Sequence, residues 1–400
     1  MHLPSNEIWQ EMLTTPQIVR FSFPDQDGKR FPTLIIKAHS LLLKYITQGV
    51  LVKLFFFSLS DGHFSYGLYI EDDHDKGVNL WSVLASQHEF SALEELVKNE
   101  ECTIFLFNET CTCCAWISAK IVIDKSVISM LKSSPYDDPD PIKYEEEVLE
   151  QLNYLHKNTK EIIETVIITN MKWETTQNHF ILNGQKHASL NLLTDNEGTY
   201  QEQLAQTFLG NLSPQGAYLN TQLHDTKGNK EFTDLVLTHE YGSILLESKS
   251  LSILQRDKLP DRTKLIKNIK KSTEKALKQL NGAIKKLQNN VTVFDQSGIE
   301  IEIERLKPPH AIVLVPELAL LEDNNSHWFA CMVKFMEETG GFLHFLDTVQ
   351  LFRIIQAAEM ISKASDEITA MMAFDYYLME RPKILAQHRS ICVDVVLQLS

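Results

Sequence analysis

The spacing of apolar residues changes character along the chain, and the expected elements change with it. Between residues 21 and 123, short apolar runs alternate with turn residues. This predicts strands at 31–39, 51–59, 64–70 (after Asp61-Gly62), 102–107 and 114–123. One helical stretch, 89–98, interrupts them, so an α+β N-terminal domain is expected. Residues 133–141 contain Pro135, Pro139 and Pro141, which exclude both a helix and a central strand; the segment reads as a linker. Val148, Leu152, Leu155, Ile162 and Ile163 fit one face of a helix over 144–164, and strand-like segments follow at 165–169 and 180–182.

From residue 200 the spacing predicts a helix (200–209), three strands (217–225, 232–239, 243–250), a long helix (263–287), a strand (310–315) and a helix (327–338). Two hairpins feeding a crossover helix imply a mixed sheet with helices on its faces. Residues 342–352 add a last strand, and 354–378 are helical by pattern. The expected fold class is α+β/α/β. Residues 1–132 form an N-terminal domain for regulation, recognition or assembly, 133–164 a linker and connecting helix, and 165–400 a mixed-sheet domain with a C-terminal helical extension.

Composition narrows the class without changing this picture. At 400 residues, two to three structural units are the prior, and 44% hydrophobic with 23% charged residues excludes low-complexity disorder. The longest apolar stretch, 50–59, is interrupted by Lys53 and is far short of the ~20 residues that span a bilayer, so no membrane partner is expected. The first residues lack the basic-then-apolar pattern of a secretory signal, and six cysteines are too few for a disulfide scaffold; a cytoplasmic location follows as the expectation. Net charge is −15, but it is polarised. Between Arg256 and Gln288, eleven Lys or Arg stand against three Asp or Glu, a local +8 that leaves −23 on the other 367 residues.

The chemistry concentrates beside that basic segment. Residues 243–250 form a buried-strand pattern that carries Glu247 and Lys249, which alternation puts on one face. The strand before it carries one carboxylate, Asp234. If Glu240-Tyr241 is the central pair of a two-residue hairpin, His239 opposes Gly242, and the same register sets Asp234 opposite Glu247. Two facing carboxylates repel, so something positive belongs between them: Lys249, or a divalent cation such as Mg²⁺, which suits few carboxylates and retained waters. An acidic residue, any residue and then Lys also occurs at Asp27-Gly28-Lys29 and Asp225-Thr226-Lys227, but only Glu247-Ser248-Lys249 closes an apolar strand. The simpler alternative is a salt bridge at a strand end.

In this order of elements, with Asp234 on one strand and Glu247-Ser248-Lys249 on the next, residues 199–349 resemble the PD-(D/E)XK, or restriction-endonuclease-like, nuclease superfamily. Thr233-Asp234 departs from the literal Pro-Asp pair. The resemblance implies a restriction-endonuclease-like nuclease domain, with Mg²⁺ (Mn²⁺ standing in) held by Asp234, Glu247 and the Ser248 carbonyl. It also implies that Lys249 positions the attacking water, and it matches Glu202 to an accessory acidic residue and Gln279 to a glutamine of the crossover helix. DNA is the implied substrate, with 5′-phosphate and 3′-hydroxyl products. A role in bacterial anti-phage defence or restriction follows from fold-level analogy alone.

In the long helix, Ile269, Ala276, Leu280, Ala283 and Leu287 form an apolar face. Lys264, Lys267, Lys271, Lys275, Lys278 and Lys285 form a separate stripe able to follow a phosphate backbone. A solvated helix face is the plainer reading of the same lysines, and helix packing is the plainer reading of Gln279. Other signals carry less. Cys102, Cys111, Cys113 and Cys114 lack paired metal-ligand spacing, no H-E-x-x-H or P-loop is present, and Pro139-Asp140 falls in the linker. The run Met371, Met372, Phe374, Tyr376, Tyr377, Met379 reads as core or as the interface of a homo-oligomer. Two other classes remain: a catalytically inactive nucleic-acid-binding or assembly protein on the same fold, and a protein-binding module whose lysines meet an acidic partner.

Overall fold

The computed structural model describes residues 4–392 except 24, 27–28, 74–76, 137–139, 155–161, 170–171, 182–186, 192, 195 and 226–227. The chain divides into two compact units, the first comprising residues 1–178 with 191–193 and the second 179–190 with 194–400.

The first unit runs α1 (Asn6–Thr14), β1 (Ile18–Ser22), β2 (Asp25–Gln26), β3 (Lys29–Arg30), β4 (Thr33–Lys37), α2 (Ser40–Thr47), β5 (Val52–Ser58), β6 (Phe64–Ile70), β7 (Val78–Val83), α3 (Gln87–Asn99), β8 (Glu101–Phe107), β9 (Cys113–Lys120) and α4 (Ser126–Ser133). A 3-10 turn (Pro141–Tyr144), α5 (Glu145–Tyr154), β10 (Ile163–Val166), β11 (Ile168–Thr169) and β12 (Glu174–Thr175) follow. One sheet has the order β1-β4-β8-β9-β11, with β12 also on β9; the other has the order β10-β5-β6-β7. Tyr144, Val148 and Leu152 pack onto Phe55, Phe57 and Tyr69 of the second sheet. The helix expected over 144–164 is described only to Tyr154, with 155–161 outside the described residues. Ile163 lies in β10, opposite Phe56, not on a helix face. The β-branched run Ile162-Ile163-Glu164-Thr165-Val166 explains the difference, since such side chains fit a pleated surface. Asp27-Gly28, Thr226-Lys227 and Pro139 also fall outside the described residues, as does residue 182 at the end of the strand expected over 180–182. All six cysteines are free.

After β13 (Gln177–Ile181) and β14 (His187–Asn191), the second unit continues with α6 (Glu197–Gly210), β15 (Gly216–Asp225), β16 (Gly228–His239), β17 (Gly242–Ser248), α7 (Arg262–Gln288), β18 (His310–Val315), α8 (Asn325–Thr339), β19 (Phe342–Asp347), α9 (Thr348–Ala364) and α10 (Ala370–His388). Its sheet has the order β15-β16-β17-β18-β19. Pairing is antiparallel from β15 to β17 and parallel from β17 to β19, so the sheet is mixed, with α7 and α8 as crossovers between neighbouring parallel strands. The last strand ends at Asp347, short of the expected 352, because the Asp347 carboxylate accepts the Gln350 N–H at 2.9 Å and caps α9. The helical pattern over 354–378 likewise resolves into two helices, and Thr369 caps the second through the Met372 N–H at 3.1 Å. In α10, Met371 and Phe374 are buried, whereas Met372, Tyr376 and Met379 are exposed. No described helix is long and apolar enough to cross a membrane.

Candidate functional site

The β16–β17 hairpin sets the site. His239 pairs with Gly242 and Leu235 with Leu246 around a turn at Glu240-Tyr241, so the register is the one that the two-residue turn predicts. Alternation then puts Leu235, Leu237, Ile244 and Leu246 on one face and Asp234, Val236, Leu245 and Glu247 on the other. Lys249 leaves the strand end with its N–H bonded to the Leu314 carbonyl at 2.9 Å, which fixes its backbone beside β18.

Asp234, Glu247 and Lys249 come together. The Lys249 Nζ lies 2.8 Å from Glu247 Oε2 and 3.7 Å from Asp234 Oδ2. Asp234 Oδ2 also accepts the Ser248 N–H at 2.7 Å, a bond that ties the carboxylate to the neighbouring strand. Glu247 is 0% exposed, and its Oε1 has no hydrogen-bond partner among the described residues; the nearby Thr233 hydroxyl donates instead to the Leu246 carbonyl at 2.9 Å. Burial and the Asp234 charge push the Glu247 carboxyl up to about 7. Burial alone would lower Lys249, but Asp234 and Glu247 outweigh it and hold the ammonium above its ordinary value.

Glu202 reaches the same field from α6. Burial, Asp234 and Glu231 push it up to about 7 while Lys249 pulls against them. Gln279 sits in α7 with its side-chain oxygen buried and without a hydrogen-bond partner among the described residues. Lys264, Lys267, Lys271, Lys275 and Lys278 are all exposed, whereas Leu265, Ile269, Thr273, Ala276 and Leu280 are buried. At about 100° per residue the lysines occupy a stripe about 80° wide, turned away from the buried face. Lys275 is near enough to act on the Glu231 charge, which puts one lysine of the stripe beside the carboxylates.

Glu231 is the residue that spacing missed. Three positions before Asp234, simple alternation puts it on the opposite face, yet burial and the nearby Asp234 charge raise its pKa. The cause is an irregularity in β16 that carries neither Gly nor Pro, so no residue type announces it.

Among the described residues, no group of three or more His, Cys, Asp or Glu could hold a metal ion as the side chains stand. The donor set nevertheless fits one held by few protein ligands. Two carboxylates meet on one face, one oxygen of the buried Glu247 is left unpartnered, and the Lys249 ammonium lies where positive charge is needed.

No curated protein and no solved structure matches the chain. Residues 197–314, which carry Glu202, Asp234, Glu247, Lys249, Gln279 and the lysine stripe, match the family model of the NERD, or nuclease-related, domain.

Proposed function

We propose that the chain is a Mg²⁺-dependent nuclease of the PD-(D/E)XK kind that hydrolyses phosphodiester bonds in DNA. The observation that carries this is the meeting of Asp234, Glu247 and Lys249 on one face of the sheet, with an unpartnered oxygen on a fully buried Glu247. The match of the same residues to a nuclease-related domain supports it. Asp234 and Glu247, joined by the Ser248 carbonyl, hold the Mg²⁺, whose contribution when bound is to polarise a phosphate oxygen and lower the pKa of a water.

Lys249 donates hydrogen bonds to the attacking water and offsets the charge that develops on the phosphoryl oxygens. Glu202, which burial and the neighbouring carboxylates push up to about 7, is the accessory acidic residue beside the pair. The exposed lysines of α7 hold the nucleic-acid backbone without reading its sequence. The N-terminal unit supplies target choice, regulation or assembly, the working form is a homo-oligomer in a cytoplasmic setting, and restriction or anti-phage defence is the corresponding biological role.

The direct Lys249–Glu247 ion pair favours a second reading, a nucleic-acid-binding protein without catalysis, because it partly neutralises the site internally. Plasmid and oligonucleotide substrates incubated with Mg²⁺ or with EDTA decide between the two. Cleavage in Mg²⁺ that EDTA abolishes supports the nuclease, and salt-sensitive binding without cleavage supports the second reading.

A further inference from the structure

Strand pairing brings Glu231 to the carboxylate face by a specific device. Thr221 pairs with Thr233 and Gln222 with Glu231, one step along β15 against two along β16. Phe232 is therefore the extra residue of a β-bulge. Counted by twos, 231 and 234 fall on opposite faces; the extra residue reverses the alternation beyond the bulge and returns Glu231 to the Asp234 side. Phe232 is buried while Glu231 is exposed at residue level, so the bulge seats a ring in the core and leaves the carboxylate accessible. On β15, Asn220, which lies between the residues paired with Leu235 and Thr233, has φ +48°, so the ladder is distorted on both strands next to Asp234.

Glu231 thus shares a face with Asp234, which together with Glu247 meets the Lys249 ammonium, and the fully buried Glu247 keeps an oxygen unpartnered among the described residues. Mg²⁺ and Mn²⁺ held by one or two carboxylates retain waters, and those waters need acceptors around them. We infer that Glu231, delivered by the bulge at Phe232, is a further carboxylate of the cation-binding face and accepts hydrogen bonds from the water shell of the bound divalent ion. This role requires no three carboxylates to converge on one point. It rests on the reading of Asp234 and Glu247 as the pair that holds the ion.

Mn²⁺ titrated into the full-length protein, with free ion counted by electron paramagnetic resonance, tests both readings. The salt is kept near 0.15 M, where exposed charges beyond about 8 Å are screened. E231Q is expected to weaken Mn²⁺ binding by about 10-fold or more, the usual cost of losing an outer-shell partner. E240Q, at the hairpin turn, is expected to leave binding unchanged. The double variant K230E/E231Q more than restores the lost negative charge but puts the carboxylate one residue away, on the other face; it is expected to bind as weakly as E231Q. Wild-type affinity in E231Q, or its recovery in K230E/E231Q, overturns the inference. E247Q keeps the two readings apart. If E247Q binds Mn²⁺ as tightly as wild type, the carboxylate pair itself is wrong. If E247Q loses binding while E231Q keeps it, only the role of Glu231 falls.

Discussion

The second unit buries polar side chains at both ends of the same strand pair, and the two ends treat them differently. At one end, Asp234 and Glu247 meet Lys249. At the other, His239 ends β16, His310 begins β18, His344 lies on β19, and Asp375 of α10 covers them. His310 Nε2 lies 3.3 Å from Asp375 Oδ1, and His310 Nδ1 lies 3.0 Å from His344 Nε2. One tautomer assignment makes this a chain in which His344 donates to His310 and His310 donates to Asp375. Burial drives His239 down to about 4 and His344 well below its ordinary value, so these two rings stay neutral. At the carboxylate end, Asp234 and Glu247 face one ammonium, and Glu247 and Glu202, pushed up to about 7, shed their charge only in part at neutral pH. At the histidine end, His310 links Asp375 of α10 to His344 on the sheet, while both ring nitrogens of His239 have no hydrogen-bond partner among the described residues; the carboxylate end instead sets two acidic groups against one ammonium. Burial of polar groups is common to both, and uncompensated charge of one sign separates them.

The largest expected effect lies at the carboxylate end. Replacing Lys249 with Ala should lower cleavage at least ~100-fold, the scale on which a lost donor to developing charge acts. Because this also takes the ion-pair partner from the buried Glu247, unfolding free energy measured in EDTA should fall by up to about 3 kcal/mol, so cleavage is compared per folded molecule. A Lys249→Ala enzyme that cuts plasmid at the wild-type rate removes the site.

Asp375→Ala is expected to lower stability without the loss of cleavage. Taking away the carboxylate that faces His310 leaves a buried ring nitrogen without its partner and costs about 1–3 kcal/mol, which urea unfolding will read, while cleavage per folded molecule stays at the wild-type level. If this variant folds normally and loses cleavage as completely as Lys249→Ala, the division between the two ends is false.

How far sequence could anticipate this contrast depended on whether a local rule set the geometry. The Glu240-Tyr241 turn did so: a two-residue loop fixes the register of its hairpin, so the facing of Asp234 and Glu247 followed from counting. The mixed sheet followed from the alternation of strand and helix patterns. Glu231 did not, because a bulge in a Lys-Glu-Phe-Thr run has no residue signature and becomes visible only when β15 supplies the register. Nor did the histidine network. Its members come from three strands and a helix spread over residues 239–375, and each reads singly as an ordinary core residue. The same limit misread Ile162-Ile163 as a helix face, since a short apolar run suits either element until its partner strand is known.

A smaller effect tests whether nucleic acid meets the carboxylate end. Changing Lys271, Lys275 and Lys278 together to Gln should weaken binding to short duplex DNA about 10-fold or more. It should also flatten the dependence of log affinity on log salt by up to about 3, near 0.9 for each lost phosphate contact. Lys363 lines the surface depression beside His239, and Lys363→Gln should leave both quantities unchanged. Equal losses in the two variants would mean that binding is diffuse.

The smallest net effect is one that the two ends conceal from each other. Glu247 has a pKa of about 7 in the folded state against 4.5 for the ordinary carboxyl, so between those values the folded chain holds more proton than the unfolded one. Stability from this group is therefore present at low pH and is lost as pH rises from about 4.5 to about 7. His239 runs the other way. Its folded value near 4 lies below the ordinary 6.5, the unfolded chain holds more proton between them, and stability is present above 6.5 and lost as pH falls towards 4. Across pH 4.5–6.5 the slopes of Glu247 and His239 oppose, while Glu202, also pushed up to about 7, adds to the Glu247 slope. E247Q removes one falling slope and should, relative to wild type, gain stability as pH rises; His239→Gln removes a rising slope and should lose stability relative to wild type over the same range. Each change approaches one proton, about 1.4 kcal/mol per pH unit at most. Denaturation midpoints measured every half unit will separate the three curves. If all three coincide, burial at the two ends does not act on protonation with opposite sign, and the contrast between them would rest on the count of charges alone.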